Sequence, residues 1–407
     1  MTAASVFAAT LRVFLDCSSA FCHEDYLREE VKLAHYVRDR TDADVHVLVT
    51  RAATAAGGGE FTLTFIGLGT FQSVTRTLKV TTEASDSEDR VRRQLASSLT
   101  LGLLGFLTLE TLPAGLEVTA KLPAAGQTLI LNPANDPWNR WTFSLNGFMN
   151  VDSEQSTFES EWGGAAGADR ITPEWKLTFG AEINESRERF DLDEEEQEEE
   201  GVSEVSVVRR DRRADWLVVK GLNDHWSVGA FGHFRSSTFD NLEFEIEAAP
   251  GIEWNFFPYS MYTRRQLRVL YGLGVASRQY YEITIYDTLE ETRPRQELSA
   301  TYEQREPWGT LEGRVEASNY FPGLSTHRIE LDGEASIRVT RGLSVNVEVS
   351  ASRIRDQIAL PRRDASPEEV LLRVRQLASE FEARFEIGIQ YRFGSPFAAI
   401  VNPRFGQ

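Results

Sequence analysis

The stretch Asn241–Tyr286 alternates residue by residue, and no other feature restricts the fold as tightly. Its first half sets Leu242, Phe244, Ile246, Ala248, Ile252, Trp254 and Phe256 against Glu243, Glu245, Glu247, Ala249, Gly251, Glu253 and Asn255. Its second half sets Leu267, Val269, Tyr271, Leu273 and Val275 against Arg268, Leu270, Gly272, Gly274 and Ala276, with Arg278 beyond. A period of two means extended strands with two unlike faces. FFPYSMYTRR, between the halves, carries the turn signal. Strands of soluble sandwiches are mostly about 5–6 residues long, whereas these runs reach roughly 12–18. Similar runs recur to the C-terminus. Length, alternation and repetition together predict an all-β antiparallel transmembrane barrel, apolar face to lipid and polar face to lumen.

Composition sets limits around that expectation. The chain has 407 residues, enough for two domains. A net charge of −19 argues against nucleic acid as a partner, since a phosphate backbone needs a basic face. No apolar run approaches about 20 residues, so no transmembrane helix is expected. Mean hydropathy is −0.33, which suits a barrel because alternate residues face water. The N-terminus, MTAASVFAATLRVFLDC, lacks a basic n-region, and Arg12 interrupts its apolar run. A barrel must be exported, so the signal peptide is expected to be cleaved or absent from this chain.

Residues 1–125 read as a separate α+β domain with the order β-α-β-β-β-α. Leu11–Asp16 is a buried strand, His23–Asp42 a helix with an apolar stripe, and Asp44–Arg51 a strand. Glu60–Leu68 and Ser73–Thr82 make a hairpin. Asp86–Phe106 is a helix with Asp86 or Ser87 as its cap. Cys17 and Cys22 are a candidate disulfide if the compartment is oxidising, and no zinc spacing surrounds them. The element order, with a hairpin of the HVLVTRA…EFTLTFIGLG kind before a helix, is similar to the N-terminal domain of the periplasmic Tol–Pal translocation protein. That resemblance implies a periplasmic module that binds a protein partner. Residues 126–137 fall in a Pro-, Ala-, Gly- and Asn-rich linker.

Residues 138–394 supply about a dozen strand candidates, and 395–407 form a tail. Connections after even strands are mostly short and those after odd strands mostly longer, as in bacterial barrels with short periplasmic turns. The tryptophans sort toward the periplasmic strand ends. Trp138, Trp175, Trp226, Trp254 and Trp308 are the expected aromatic girdle, since an indole prefers the headgroup level. The last strand ends FEIGIQYRF, like the C-terminal assembly signal of Gram-negative outer-membrane proteins, although fourteen residues follow it. Strands such as PEWKLTFGAEINESRERF resemble those of the salt-induced outer-membrane protein group.

The inward face is expected to carry charges of both signs: Glu243, Glu245, Glu247, Glu253, Arg268, Arg278, Glu312, Arg314, Glu330, Glu334, Arg338 and Arg384. Buried charges must be paired or wetted. Such a lumen is either closed by cross-strand salt bridges or lines a narrow aqueous path. The acidic run Asp191–Glu200 reads as a solvated loop, without the glycine and ligand spacing of a calcium site. Residues 365–379 read as a capped amphipathic helix in the last outer loop. His233 near Ser236 is the best candidate for catalysis, but it faces the lumen and no G-x-S-x-G or H-E-x-x-H is present. No enzyme, cofactor or metal is expected. The expected role is an outer-membrane anchor or envelope assembly component whose partners are membrane lipid and a periplasmic protein bound through residues 1–125. The alternative is a narrow channel for small polar or ionic solutes.

Overall fold

The computed structural model describes residues 11–19, 22–55, 57–107, 136–155, 157–191, 204–340, 343–362 and 380–391. The linker apart from its last two residues, the acidic run after Asp191, the helix expected over 365–379 and the C-terminal tail lie outside them.

The N-terminal unit is a five-stranded mixed sheet with two helices. Its elements are β1 (Leu11–Ser19), α1 (Glu24–Glu30), β2 (Ala34–Tyr36), β3 (Val45–Ala53), β4 (Gly59–Gly67), β5 (Thr75–Thr82) and α2 (Glu88–Leu107). The strand order is β2-β1-β3-β4-β5. The helix expected over His23–Asp42 is shorter than its apolar pattern suggests. It stops at Glu30, because Ala34–Tyr36 leave it to pair in parallel with Leu11–Val13 at the sheet edge. Val13, Val45, Val47, Leu63 and Phe65 on the sheet bury against Leu95, Leu99, Leu103 and Phe106 of α2. Gly102 permits this approach, since a Cβ there would lie 2.0 Å from the Phe65 ring. The Ser87 hydroxyl accepts from the Arg90 N–H and caps α2. Cys17 and Cys22 are bonded to each other.

The rest is one antiparallel meander of twelve strands. They are β6 (Trp141–Ser153), β7 (Thr157–Ile171), β8 (Trp175–Asp191), β9 (Glu204–Gly221), β10 (Trp226–Ser237) and β11 (Leu242–Asn255), then β12 (Arg265–Tyr280), β13 (Glu290–Glu306), β14 (Gly309–Tyr320), β15 (His327–Thr340), β16 (Leu343–Ile354) and β17 (Phe381–Tyr391). Each pairs with its neighbours in sequence, so β6 and β17 are the edges of the described sheet. Among the described residues no helix is long and apolar enough to cross a membrane.

The faces of this sheet are buried the opposite way from those of a soluble protein. Glu245, Glu247, Arg278, Asn255, Ser299 and Asn319 are buried. Leu145 is 85% exposed, Met149 71%, Ile389 72% and Phe385 67%. Soluble monomers rarely expose contiguous apolar patches beyond a few hundred Å². Here the apolar side of the wall faces outward, and the polar side is covered along the central strands β10–β14.

Candidate functional site

The polar face between β10 and β14 is filled by a lattice of charges. His233 Nε2 lies 2.7 Å from Glu245 Oε1, and Glu245 also pairs with Arg278. Arg278 donates to the Tyr320 hydroxyl and stacks over its ring at 4.5 Å. Beside it, Arg295 bridges Glu247 at 2.7 Å and Glu297 at 2.8 Å, joining β13 to β11 across an intervening strand. Small residues make room for this: Phe231 lies over Gly251 and Gly272, where a Cβ would come within 3.1 and 2.7 Å of its ring. The period of two creates the lattice, since cross-strand neighbours on one face sit about 4.5–5.5 Å apart.

The polar face changes character toward β17. Glu303, Glu312, Glu334, Glu348 and Glu386 stand directly opposite one another on five consecutive strands. Like charges in that arrangement repel. Arg305 relieves the first two, at 3.0 Å from Glu303 and 2.6 Å from Glu312. Arg384 lies 3.0 Å from Glu386. Between β7 and β10 the same face opens into a polar cleft of about 580 Å³ that includes Glu161, Glu182, Arg209, Arg213 and Arg235. Among the described residues no cluster of His, Cys, Asp and Glu is arranged to hold a metal ion.

Of the residues expected inside, Glu245, Glu247, Glu253, Arg268 and Arg278 share one face of β11 and β12. Glu312, Arg314, Glu330 and Glu334 share the matching face of β14 and β15, and Arg384 that of β17. Glu243 does not belong with them. The register slips between Leu242 and Phe244, and this bulge moves Glu243 to an outer depression beside Arg212, Phe234 and Tyr281.

The girdle tryptophans gather at one end. Trp226 and Trp254 are paired, with rings 6.3 Å apart, Trp175 begins β8, and Trp138 and Trp308 lie in turns at that end. Trp162 departs from the expected sorting, since it pairs with Met149 in the upper part of β6. Trp216 lies opposite Phe179, within the apolar band.

At the Trp-rich end the sheet meets the N-terminal domain through three well-separated contacts. Thr142 of β6 donates to the Ala55 carbonyl at 2.8 Å. Tyr262, in the turn between β11 and β12, donates to Glu60 at 2.7 Å. Arg338 of β15 reaches Asp16 at 2.7 Å. Asp16 is 2% exposed, and His46 Nε2 lies 3.0 Å from its second oxygen. Burial holds His46 below the ordinary histidine range, against the pull of Asp16. The Lys79 ammonium holds Glu60 below the usual carboxylate range, with Tyr262 adding to it against burial. Burial pushes the Tyr262 hydroxyl up to about 12, helped by Glu60. Tyr259, in the same turn, donates to Glu253 at 2.8 Å and draws the turn toward the polar face. Sequence reasoning missed this junction. Asp16 and Glu60 lie in unremarkable strands, and their partners are hundreds of residues away.

No family model matches the chain, and no curated protein matches it. The resemblances to the salt-induced group and to the Tol–Pal domain thus rest on pattern alone. Similar solved structures include two at 10% identity. The translocator domain of the autotransporter NalP from Neisseria meningitidis aligns over 62% of this chain and 81% of that chain, with a TM-score of 0.19. The beta domain of the Bordetella autotransporter BrkA aligns over 62% of this chain and 98% of that chain, with a TM-score of 0.25.

Proposed function

We propose that this chain is an outer-membrane protein in which the twelve strands close into a charge-filled mount that holds the α+β domain at the periplasmic face. The inverted burial of the sheet carries this reading. Hydrocarbon tolerates exposed apolar side chains but not unpaired strand edges, because an unsatisfied backbone group there costs several kcal/mol. Closure of β6 on β17 therefore belongs to the proposal. The ion-paired lattice from β10 to β14 and the three contacts at the Trp-rich end both oppose free passage of solute. The domain so held is the part available to a periplasmic protein.

A second reading, a narrow cation path, draws on the row of five opposed glutamates. Negative charge in excess of its arginines, centred on Glu334 and Glu348, attracts cations when it faces a lumen, as do the acidic rings of cation channels.

Conductance in planar bilayers separates the two. The mount predicts silence from the full chain and from Arg338→Ala/Tyr262→Phe, which loosens the domain. Steady cation-selective conductance in either protein, reduced by Glu334→Gln/Glu348→Gln, supports the channel and removes the mount.

A further inference from the structure

The outward face of β8 and β9 changes chemistry abruptly along its length. On β8 the outward residues run Trp175, Leu177, Phe179, Ala181 and Ile183, and then become Glu185, Arg187 and Arg189. On β9, Ala214, Trp216 and Val218 give way to Arg212 and Arg210, opposite Ile183 and Glu185. All four arginines are exposed.

Height decides what they meet. At about 3.3 Å per residue and a tilt near 40°, Ile183 lies roughly 20 Å above Trp175 and Arg187 roughly 30 Å above it. An apolar belt is about 25 Å tall. The arginines bracket its upper edge, at the end opposite the N-terminal domain. Trp162 pairs with Glu185 at this level, which explains its absence from the lower girdle: it is an upper interface anchor. Glu185 lies 3.0 Å from Arg210 and 3.7 Å from Arg187, and Arg189 stacks on Phe158 at 5.6 Å. Arg212 borders the depression of about 480 Å³ that holds Glu243, with Phe234, Ile246 and Tyr281 as an apolar wall. The next outward position pairs Asp191 with Glu204, so the arginines form a band between the apolar stretch and an acidic one, beside a recess bordered by Arg212, Phe234 and Ile246.

We propose that this patch docks a phosphate-bearing lipid headgroup of the outer leaflet, its phosphates on the arginines and its chains along Phe234 and Ile246. Guanidinium groups match phosphate oxygens in a planar, two-pronged geometry, and the patch sits where such headgroups lie. The proposal rests on the bilayer reading above.

The test uses the full chain in phosphatidylcholine vesicles titrated with fluorescent lipid A, with a chelator present so that no divalent cation forms a bridge. Arg187→Gln/Arg189→Gln/Arg210→Gln/Arg212→Gln should weaken lipid A binding by about tenfold or more. The corresponding four-lysine variant, which keeps the charge but not the two-pronged geometry, should fall between the parent and the four-glutamine protein, and shows that the fold tolerates change there. Arg90→Gln/Arg93→Gln on α2 should leave binding as in the parent. Equal binding by the parent and the four-glutamine protein overturns the proposal. Displacement by millimolar inorganic phosphate also overturns it, in favour of a small-anion site. If the chain stays protease-accessible and outside the vesicles, the bilayer reading fails as well.

Discussion

Asp16 is a buried carboxylate in the small domain, and Arg338 reaches it from a strand 322 residues further along the chain. Arg338→Ala withdraws the cation from a buried carboxylate that keeps its His46 contact, and should weaken the junction by about 2 kcal/mol. Tyr262→Phe removes a hydrogen bond to a charged group and should cost about 1.5 kcal/mol. Faster proteolytic release or hydrogen exchange of β1 and β3, with the sheet unchanged, is the expected readout. Inside the sheet, Arg278→Met should cost about 3 kcal/mol because Glu245 loses its guanidinium. Glu245→Leu combined with it should recover part of that loss, measured by unfolding in detergent. Single residues were unevenly legible. Arg278 declared itself by its place in an alternating run. Asp16 did not, because the hydrophobic pattern of LRVFLDC describes a strand and says nothing of a partner so distant in sequence.

For the elements, face chemistry was the readable quantity. A strand whose alternate residues are all apolar has only one way to turn its faces, so the long strands and the residues that share a face followed from the sequence, while the cross-strand register did not. The departures came where local pairing overrode the pattern. Ala34–Tyr36 has helical apolar spacing but satisfies its backbone against β1, and the bulge at Glu243 shifts the pattern by one residue. The bilayer reading makes a sharp demand on these elements. Val275 is 48% exposed on the apolar face, six residues beyond Val269, which pairs with Trp254. Val275→Arg should cost about 2–4 kcal/mol in lipid if that face meets hydrocarbon. On a water-facing wall the change would stay within about 0.5 kcal/mol. Equilibrium unfolding in vesicles distinguishes the two.

The whole molecule has a junction with a pH window. His46 and Glu60 both have folded pKa values below their ordinary ones. The unfolded groups therefore bind protons first, and the support that both give the folded small domain is lost in acid. Weakening should begin as pH falls below about 6.5, where an ordinary histidine charges, and continue as Glu60 protonates. Tyr262 acts in the opposite sense. Its raised pKa gives support that is complete below about 10 and disappears as pH rises through about 12. Protease release of the domain followed against pH should show both edges, and Tyr262→Phe should remove the alkaline one. The three contacts also have a temporal meaning. Thr142 lies at the start of the first strand, Tyr262 midway and Arg338 close to the end. A chain still being assembled offers the small domain one or two of these footholds, and only a finished one offers all three. The seated domain is therefore a mark of a finished sheet, since all three contacts can form together only once β15 is in place.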